Sequence, residues 1–150
     1  MRFLIQRVTS AEVSVEEQTI GSIARGYLVL VGISAGDTVE IADRMVQKML
    51  RLRIFADENG KTNLSLDQVQ GQRFRGSTWT RDETGRRGKR PYFLEAGDPD
   101  EEGTRFDQIV EICRQSVPVV RTGSFGADMK VRLCNDGPFT IMLDSDEILG

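Results

Sequence analysis

The chain has 150 residues, 29% of them charged and 39% hydrophobic, with a formal net charge of −3. This composition is ordinary for one globular domain over residues 1–150, which can bury a core without disulfides. The sequence has no histidine, which excludes Ser-His-Asp and Cys-His catalysis and the usual zinc sites. We therefore expect any hydrolysis to need no metal and no cofactor, and to use backbone donors, a carboxylate, a lysine or the substrate's own groups.

The first half of the chain is patterned mainly as strands. Apolar and polar residues alternate over the first 15 residues, which predicts an early hairpin. The continuous apolar run at 27–33 predicts a strand buried on both faces. A short strand is expected at 53–55, and it ends in the turn formed by residues 57–60.

Two segments show helical spacing. Apolar residues three or four apart predict a helix over 38–50, and the pair Asp37 and Glu40 has the spacing of a capping box at its start. A second helix is expected over 104–116, with Thr104 as its N-cap. Its members Ile109, Val110 and Cys113 share one face.

The C-terminal part returns to strand patterns, at 117–122 and 129–134. Asn135-Asp136 forms a polar corner, followed by Gly137-Pro138 and a last strand at 139–143. Proline lacks an N–H, so Pro138 should start that strand or project from it. Two helices and seven or eight strands favour an α+β fold, a barrel-like antiparallel or mixed sheet covered by the helices.

Cellular location is predicted from what the sequence lacks. Arg2, Gln6 and Arg7 interrupt the first apolar residues, so we expect no signal peptide. No stretch approaches the ~20 apolar residues of a membrane span. Cys113 and Cys134 form no C-x-x-C motif, which favours two buried free thiols over a disulfide. We expect a cytoplasmic protein without membrane contact.

Basic residues are concentrated between positions 73 and 90. The cluster consists of Arg73, Arg75, Arg81, Arg86, Arg87, Lys89 and Arg90, against Asp82 and Glu83. Such a cluster can hold phosphates or form a solvated loop, and charge alone leaves both open. The overall pI of about 5.1 argues against a general nucleic-acid binder.

Four segments together resemble the D-aminoacyl-tRNA deacylases, also called D-tyrosyl-tRNA deacylases. The matching segments are MRFLIQRVTSAEVSV (1–15), LRIFADENGKTNLSL (52–66), GRRGKRPYF (85–93) and the run from Gly123 to Ser145, which contains NDGPFT (135–140). The resemblance implies the same α+β fold, assembled as a homodimer. It also implies hydrolysis of the ester of D-aminoacyl-tRNA in translation quality control, with glycyl-tRNA mischarged on tRNA-Ala as a further candidate substrate.

The same resemblance implies a catalytic segment, Ser77-Thr78-Trp79-Thr80. It stands where the family has SQFT, so Ser77 and Thr80 match while Thr78 and Trp79 replace glutamine and phenylalanine. In the family pattern the backbone N–H groups of this segment act as an oxyanion hole, and backbone donors tolerate side-chain change. Covalent catalysis by Thr80 is disfavoured, because no histidine is present to activate its hydroxyl.

The resemblance also implies a substrate-binding set. Gly137 and Pro138, joined by a cis peptide bond, would exclude L-amino acids by steric clash. Arg7 would hold this dipeptide through a carbonyl, and Phe125 and Met129 would form pocket wall. In the homodimer, Gly137-Pro138 would contact the partner's 77–80 segment.

Residues 73–84 depart from the family pattern. Charges stand where the family has an apolar strand, while the length and the flanking segments are preserved. Compensating frameshifts, a sequencing error and true divergence would each produce this pattern. A strand with buried charges is weakened, which leaves an impaired homologue that binds tRNA or other nucleic acid as the alternative. A third possibility is a dimeric small-molecule-binding barrel with Gly137-Pro138 in its pocket.

Overall fold

The long first strand, β1 (Arg2–Val15), organises the sheet of the computed structural model. The structure describes residues 1–66, 68–69, 76–80, 99–124 and 126–150. One edge of β1 pairs first with β3 (Gly26–Gly32) and then with β2 (Gln18–Ile23), both antiparallel. The other edge pairs along almost its whole length with β8 (Met129–Asp144), also antiparallel. β1 therefore links the start and the end of the chain.

The sheet is mixed, because β6 (Gly76–Thr80) runs parallel to both of its neighbours, β3 and β7 (Val120–Thr122). The strand order is β2-β1-β3-β6-β7, with β8 on the free edge of β1. A separate hairpin of β4 (Phe55–Ala56) and β5 (Thr62–Leu64) surrounds the predicted turn at 57–60. That turn is confirmed by the hydrogen bond from the Gly60 N–H to the Asp57 carbonyl at 3.0 Å.

The sheet curls so that its two end strands approach each other. A Cβ added at Gly21 of β2 would lie 3.2 Å from the carbonyl oxygen of Thr122 in β7. Within the described residues no ladder joins these strands. The predicted barrel-like mixed sheet is confirmed, but it is open at this seam rather than closed into a barrel.

The main core lies between one face of the sheet and the helices α1 (Val39–Leu50) and α2 (Pro99–Ser116). Buried sheet residues of this core include Phe3, Ile5, Tyr27, Val29 and Val31. The apolar residues predicted to line α1 are all buried: Ala42, Met45, Val46, Met49 and Leu50. Fully burying a side chain of this size contributes roughly 1.5–3 kcal/mol, so the helices are fixed by this face.

The helix starts differ from the sequence-based expectation. The N-cap of α1 is Thr38, whose hydroxyl accepts the Ile41 N–H at 3.3 Å. Asp37 instead accepts the Ser34 N–H at 2.7 Å and pairs with the N-terminal ammonium of Met1 at 2.8 Å. The capping-box prediction was therefore wrong by one residue. Hydrogen bonds from its own backbone and from Thr38 lower the pKa of Glu40.

The second helix begins at Pro99, five residues before the predicted cap. Proline fits the first helical position, where its missing N–H would have no intrahelical partner, and three acidic residues follow in the first turn. Thr104 lies inside the helix, where its hydroxyl donates to the Asp100 carbonyl at 2.9 Å. A third helix, α3 (Ser145–Leu149), was not predicted; the Asp144 carboxylate caps it through the Asp146 N–H at 3.1 Å.

Two burial predictions need correction. Leu30 in β3 is 38% exposed, whereas the rest of its apolar run is buried. Cys113 is buried, but Cys134 is exposed on β8; both are free thiols. No described helix is long and apolar enough to cross a membrane.

The two thiols should differ in reactivity. Burial raises the pKa of Cys113 from 9.0 to about 12, so its reactive thiolate is suppressed in the folded protein. At pH 8 a maleimide should label one thiol of the native protein, and mass spectrometry should place the adduct on Cys134. The Cys113 thiol ionises at lower pH in the unfolded chain than in the folded protein. Cys113 therefore makes the free energy of unfolding fall as the pH rises above 9.

A Cys134→Ser variant should then take up no label until denaturant is added, whereas Cys113→Ala should be labelled like the parent. Two adducts on the native parent protein would contradict the burial of Cys113.

Candidate active site

The pairing of β8 with β1 shifts register at two places, and the larger interruption lies between Gln6 and Val8. Gln6 pairs with Thr140 and Val8 pairs with Asn135, so Arg7 alone faces the four residues between them. These four residues, 136–139, contain the Gly-Pro dipeptide, and we call them the β8 corner. The chain thus projects the dipeptide from a continuous sheet, as expected for a proline that cannot take part in the ladder.

Arg7 holds one side of the β8 corner. Its Nε donates to the Asp136 carbonyl at 2.9 Å, and its Nη1 donates to the Ile54 carbonyl. The guanidinium carbon lies 4.6 Å from the centre of the Phe139 ring. The carbonyl that Nε reaches is the one directly before the dipeptide, and the role of Arg7 in substrate binding stays a prediction. The side chain is only 11% exposed, and a planar fork of donors suits two carbonyls at once.

Asn135 holds the other side of the β8 corner, at Phe139. Its Oδ1 accepts the Phe139 N–H at 2.7 Å, while its Nδ2 donates to the Phe139 carbonyl at 3.2 Å and to the Thr140 hydroxyl at 3.0 Å. The side-chain amide therefore replaces the missing ladder partner of Phe139. From the sequence alone, Asn135 is predicted only as part of a polar corner. The available signal was an amide, both donor and acceptor, just before a strand interrupted by Gly-Pro.

The dipeptide itself is exposed between these two supports. The Gly137–Pro138 peptide bond is cis, as the resemblance implied. Gly137 has φ +135°, and a Cβ there would lie 3.0 Å from a Phe139 ring carbon and 3.1 Å from Nη2 of Arg7. Only glycine fits this backbone angle and this space. The corner therefore presents main-chain atoms, rather than side chains, to an incoming molecule.

The 77–80 segment lies on β6, which is a formed strand between β3 and β7 despite its charged neighbours in the sequence. Its ladder with β7 ends at Thr78, whereas its ladder with β3 continues to Thr80. Successive residues of a strand point their N–H groups to opposite sides. One N–H of Trp79 or Thr80 therefore points past the end of β7. Residues 73–75 and 81–98, with the whole basic cluster, lie outside the described residues.

A single chain does not bring these two parts together. Ser77 is in register with Leu28, Leu28 with Gln6, and Gln6 with Thr140. Three inter-strand steps of about 4.8 Å separate β6 from β8, roughly 14 Å in all. The dipeptide and the 77–80 segment of one chain therefore lie on the same sheet with two strands, β1 and β3, between them.

Of the two residues implied to form pocket wall, only Met129 is described. It is half-buried against a second apolar cluster, whose members are Val8, Ala11, Val13, Ile23 and Leu28. Leu28 is the register partner of Ser77, so Met129 packs on the part of the sheet that adjoins β6. Phe125 lies outside the described residues.

The chain is similar to known proteins over nearly its whole length. A family model described as D-Tyr-tRNA(Tyr) deacylase matches residues 4–144. A D-aminoacyl-tRNA deacylase from Thermotoga petrophila is 46% identical over 99% of both chains. Another, from Teredinibacter turnerae, is 49% identical over 97% of this chain and 100% of its own.

Two solved structures have a similar fold. The c-Myc DNA Unwinding Element Binding Protein superposes with a TM-score of 0.89 at 34% identity, over 96% of this chain and 98% of its own. A probable eukaryotic D-amino acid tRNA deacylase shares the fold, with a TM-score of 0.82 at 16% identity. The names of the sequence relatives favour a deacylase over an impaired nucleic-acid binder or a small-molecule barrel. Since the family model and full-length relatives agree, the chain belongs to the D-Tyr-tRNA(Tyr) deacylase family.

Proposed function

We propose that this protein hydrolyses the ester that joins a D-amino acid to the 3′ end of tRNA, and so acts in translation quality control in the cytoplasm. The observation that carries the proposal is the near-complete match to relatives named for this activity. Glycyl-tRNA mischarged on tRNA-Ala is a further substrate, because glycine has no side chain on which rejection of the L-form can act.

Backbone donors at the end of β6 supply the chemistry. Water attacks the ester carbonyl carbon, and the N–H groups of the Ser77–Thr80 segment stabilise the tetrahedral oxyanion. The ribose oxygen then leaves with a proton, which regenerates intact tRNA and frees the amino acid. One such donor is typically worth about 10²–10³ in rate. The neighbouring 2′-hydroxyl of the substrate helps to activate the water, so that the protein mainly orients and stabilises.

The β8 corner supplies chiral selection. Gly137 and Pro138 present a bare main-chain surface against the chiral centre, and the side chain of an L-amino acid would collide with it. Rejection by collision works only if the surface does not yield. Arg7 and Asn135 brace the dipeptide on both flanks, which supports this role. Phe125 and Met129 form the wall of the amino-acid pocket.

A second copy of the chain completes the site. Within one chain the corner lies roughly 14 Å from β6, or three inter-strand steps, so the corner that meets β6 comes from the partner. Two-fold symmetry then forms two identical sites. Leu4, Leu30 and Met142 lie side by side across three strands. Leu30 is 38% and Met142 is 58% exposed, and an exposed apolar row of this kind supports a homodimer.

The proposed activity can be measured directly. The purified protein should release D-tyrosine from D-Tyr-tRNA about a hundredfold or more faster than it releases L-tyrosine from L-Tyr-tRNA, as followed by loss of acid-precipitable label. Equal rates on both substrates would contradict chiral selection by the corner. Binding of tRNA without release of either amino acid would instead support the impaired homologue.

Two substitutions at Thr80 distinguish the contribution of its backbone N–H from that of its hydroxyl. Thr80→Ala keeps the N–H and should lower kcat only modestly, while Thr80→Pro removes it and should lower kcat by about 10²-fold or more. Circular dichroism of both variants checks that the proline leaves the sheet intact. An alanine variant as inactive as the proline variant would point to a side-chain nucleophile and overturn the backbone mechanism.

The role of Arg7 is tested by removing its donors at similar volume. Arg7→Met leaves the carbonyls of Ile54 and Asp136 unpaired, so the free energy of unfolding should fall by about 1.5–3 kcal/mol in a denaturant titration. Discrimination between D- and L-Tyr-tRNA should fall as well. Arg132→Met is the matched control, because Arg132 is 85% exposed, and it should change stability by less than about 0.5 kcal/mol. Unchanged discrimination in a folded Arg7→Met protein would contradict the bracing role.

A further inference from the structure

A basic groove runs along α1 and the segment that follows it. The groove has a volume of 580 Å³, and its lining includes Arg44, Lys48, Arg51, Arg53, Asp43 and Ile148. Four cations thus face one carboxylate, in a chain whose overall charge is −3. We call this surface the α1 groove. The charge of the α1 groove is therefore positive, opposite in sign to the net charge of the whole protein.

The cations of α1 form a stripe on one face of the helix. Arg44, Lys48 and Arg51 are spaced four and three residues apart, so they are neighbours over roughly 10 Å of helix axis. All three are exposed, and within the described part of the chain none forms an ion pair. Like charges at this spacing destabilise a helix slightly, which offsets the favourable position of Lys48 in the last turn and Arg51 at the C-cap relative to the helix dipole. The net contribution of the stripe to the stability of the helix is therefore small.

The groove leads to the β8 corner. Arg53 is anchored by a hydrogen bond from its Nε to the Asn63 carbonyl at 2.7 Å. The next residue, Ile54, accepts a hydrogen bond from Arg7 through its carbonyl, and Arg7 holds the corner at Asp136. The Arg53 end of the groove is thus one residue away from a carbonyl that the same arginine, Arg7, links to the β8 corner.

We propose that the α1 groove binds backbone phosphates of the tRNA acceptor arm while the aminoacyl end occupies the active site. This inference rests on the proposed function, which names the substrate. Its occupant must be an extended polyanion, because the cations are exposed along an open surface and spaced over more than one phosphate. Helical RNA is contacted largely through its phosphates and 2′-hydroxyls, so the groove adds affinity for tRNA and does not select the amino acid.

The test removes two cations at constant helix propensity, with the double variant Lys48→Gln/Arg51→Gln. The matched control, Lys130→Gln/Arg132→Gln, removes the same charge from exposed positions on β8. Affinity for uncharged tRNA is measured by fluorescence anisotropy over a range of KCl concentrations. The groove variant should bind about tenfold more weakly, and the slope of log K against log salt should become shallower by about two.

Kinetics supply the second readout. With D-Tyr-tRNA, the groove variant should show a raised KM and an unchanged kcat, whereas with D-tyrosyl-adenosine, which lacks the phosphates, it should match the parent. Equal tRNA affinity and salt slope in the groove and control variants would overturn the inference, even if the parent protein deacylates D-Tyr-tRNA. An equal loss on D-tyrosyl-adenosine would also overturn it. The proposed function fails separately, if the parent protein does not release D-tyrosine.

Discussion

The hydrogen bonds of Arg7 to two main-chain carbonyls are the interaction on which the candidate site depends. One bond reaches Asp136 at the start of the β8 corner, and the other reaches Ile54 beyond the end of α1. A nearly buried guanidinium thus joins the residue before the Gly-Pro dipeptide to the segment that follows α1. With Asn135 on the opposite flank, it turns a break in a strand into a fixed surface.

The order of strands in the sheet keeps the two parts of the candidate site, the 77–80 segment and the Gly-Pro dipeptide, on separate strands. β6 offers main-chain donors at its carboxyl end, and β8 offers the dipeptide, but β3 and β1 lie between them. In the proposed mechanism both parts act through main-chain groups, so the side chains of the candidate site can vary while these groups stay in place. This explains how a segment in which Thr78 and Trp79 replace the residues of the family pattern can still form a strand in register with Leu28–Val31.

Sequence patterns predicted much of this fold because they reflect burial. The helical spacing of Ala42, Met45 and Met49 located α1, and the apolar run around Val29 located β3. Positions set by single hydrogen bonds were harder to predict. Thr38 and Asp37 are both good caps, but Asp37 is already bonded to the Ser34 N–H and the Met1 ammonium, so the cap is Thr38. The role of Asn135 depends on where β1 and β8 separate, which involves residues more than a hundred positions apart.

That separation in sequence also affects how the protein is made. Arg7 and Asp136 are 129 residues apart, so β1 has no partner on its second edge until β8 has been synthesised. Until β8 has been made, the unpaired edge of β1 can pair with strands of other chains. Pairing between segments so far apart in the sequence is also slow to form. During synthesis the β8 corner is consequently among the last features to assemble, and any polypeptide that stops before β8 lacks it altogether.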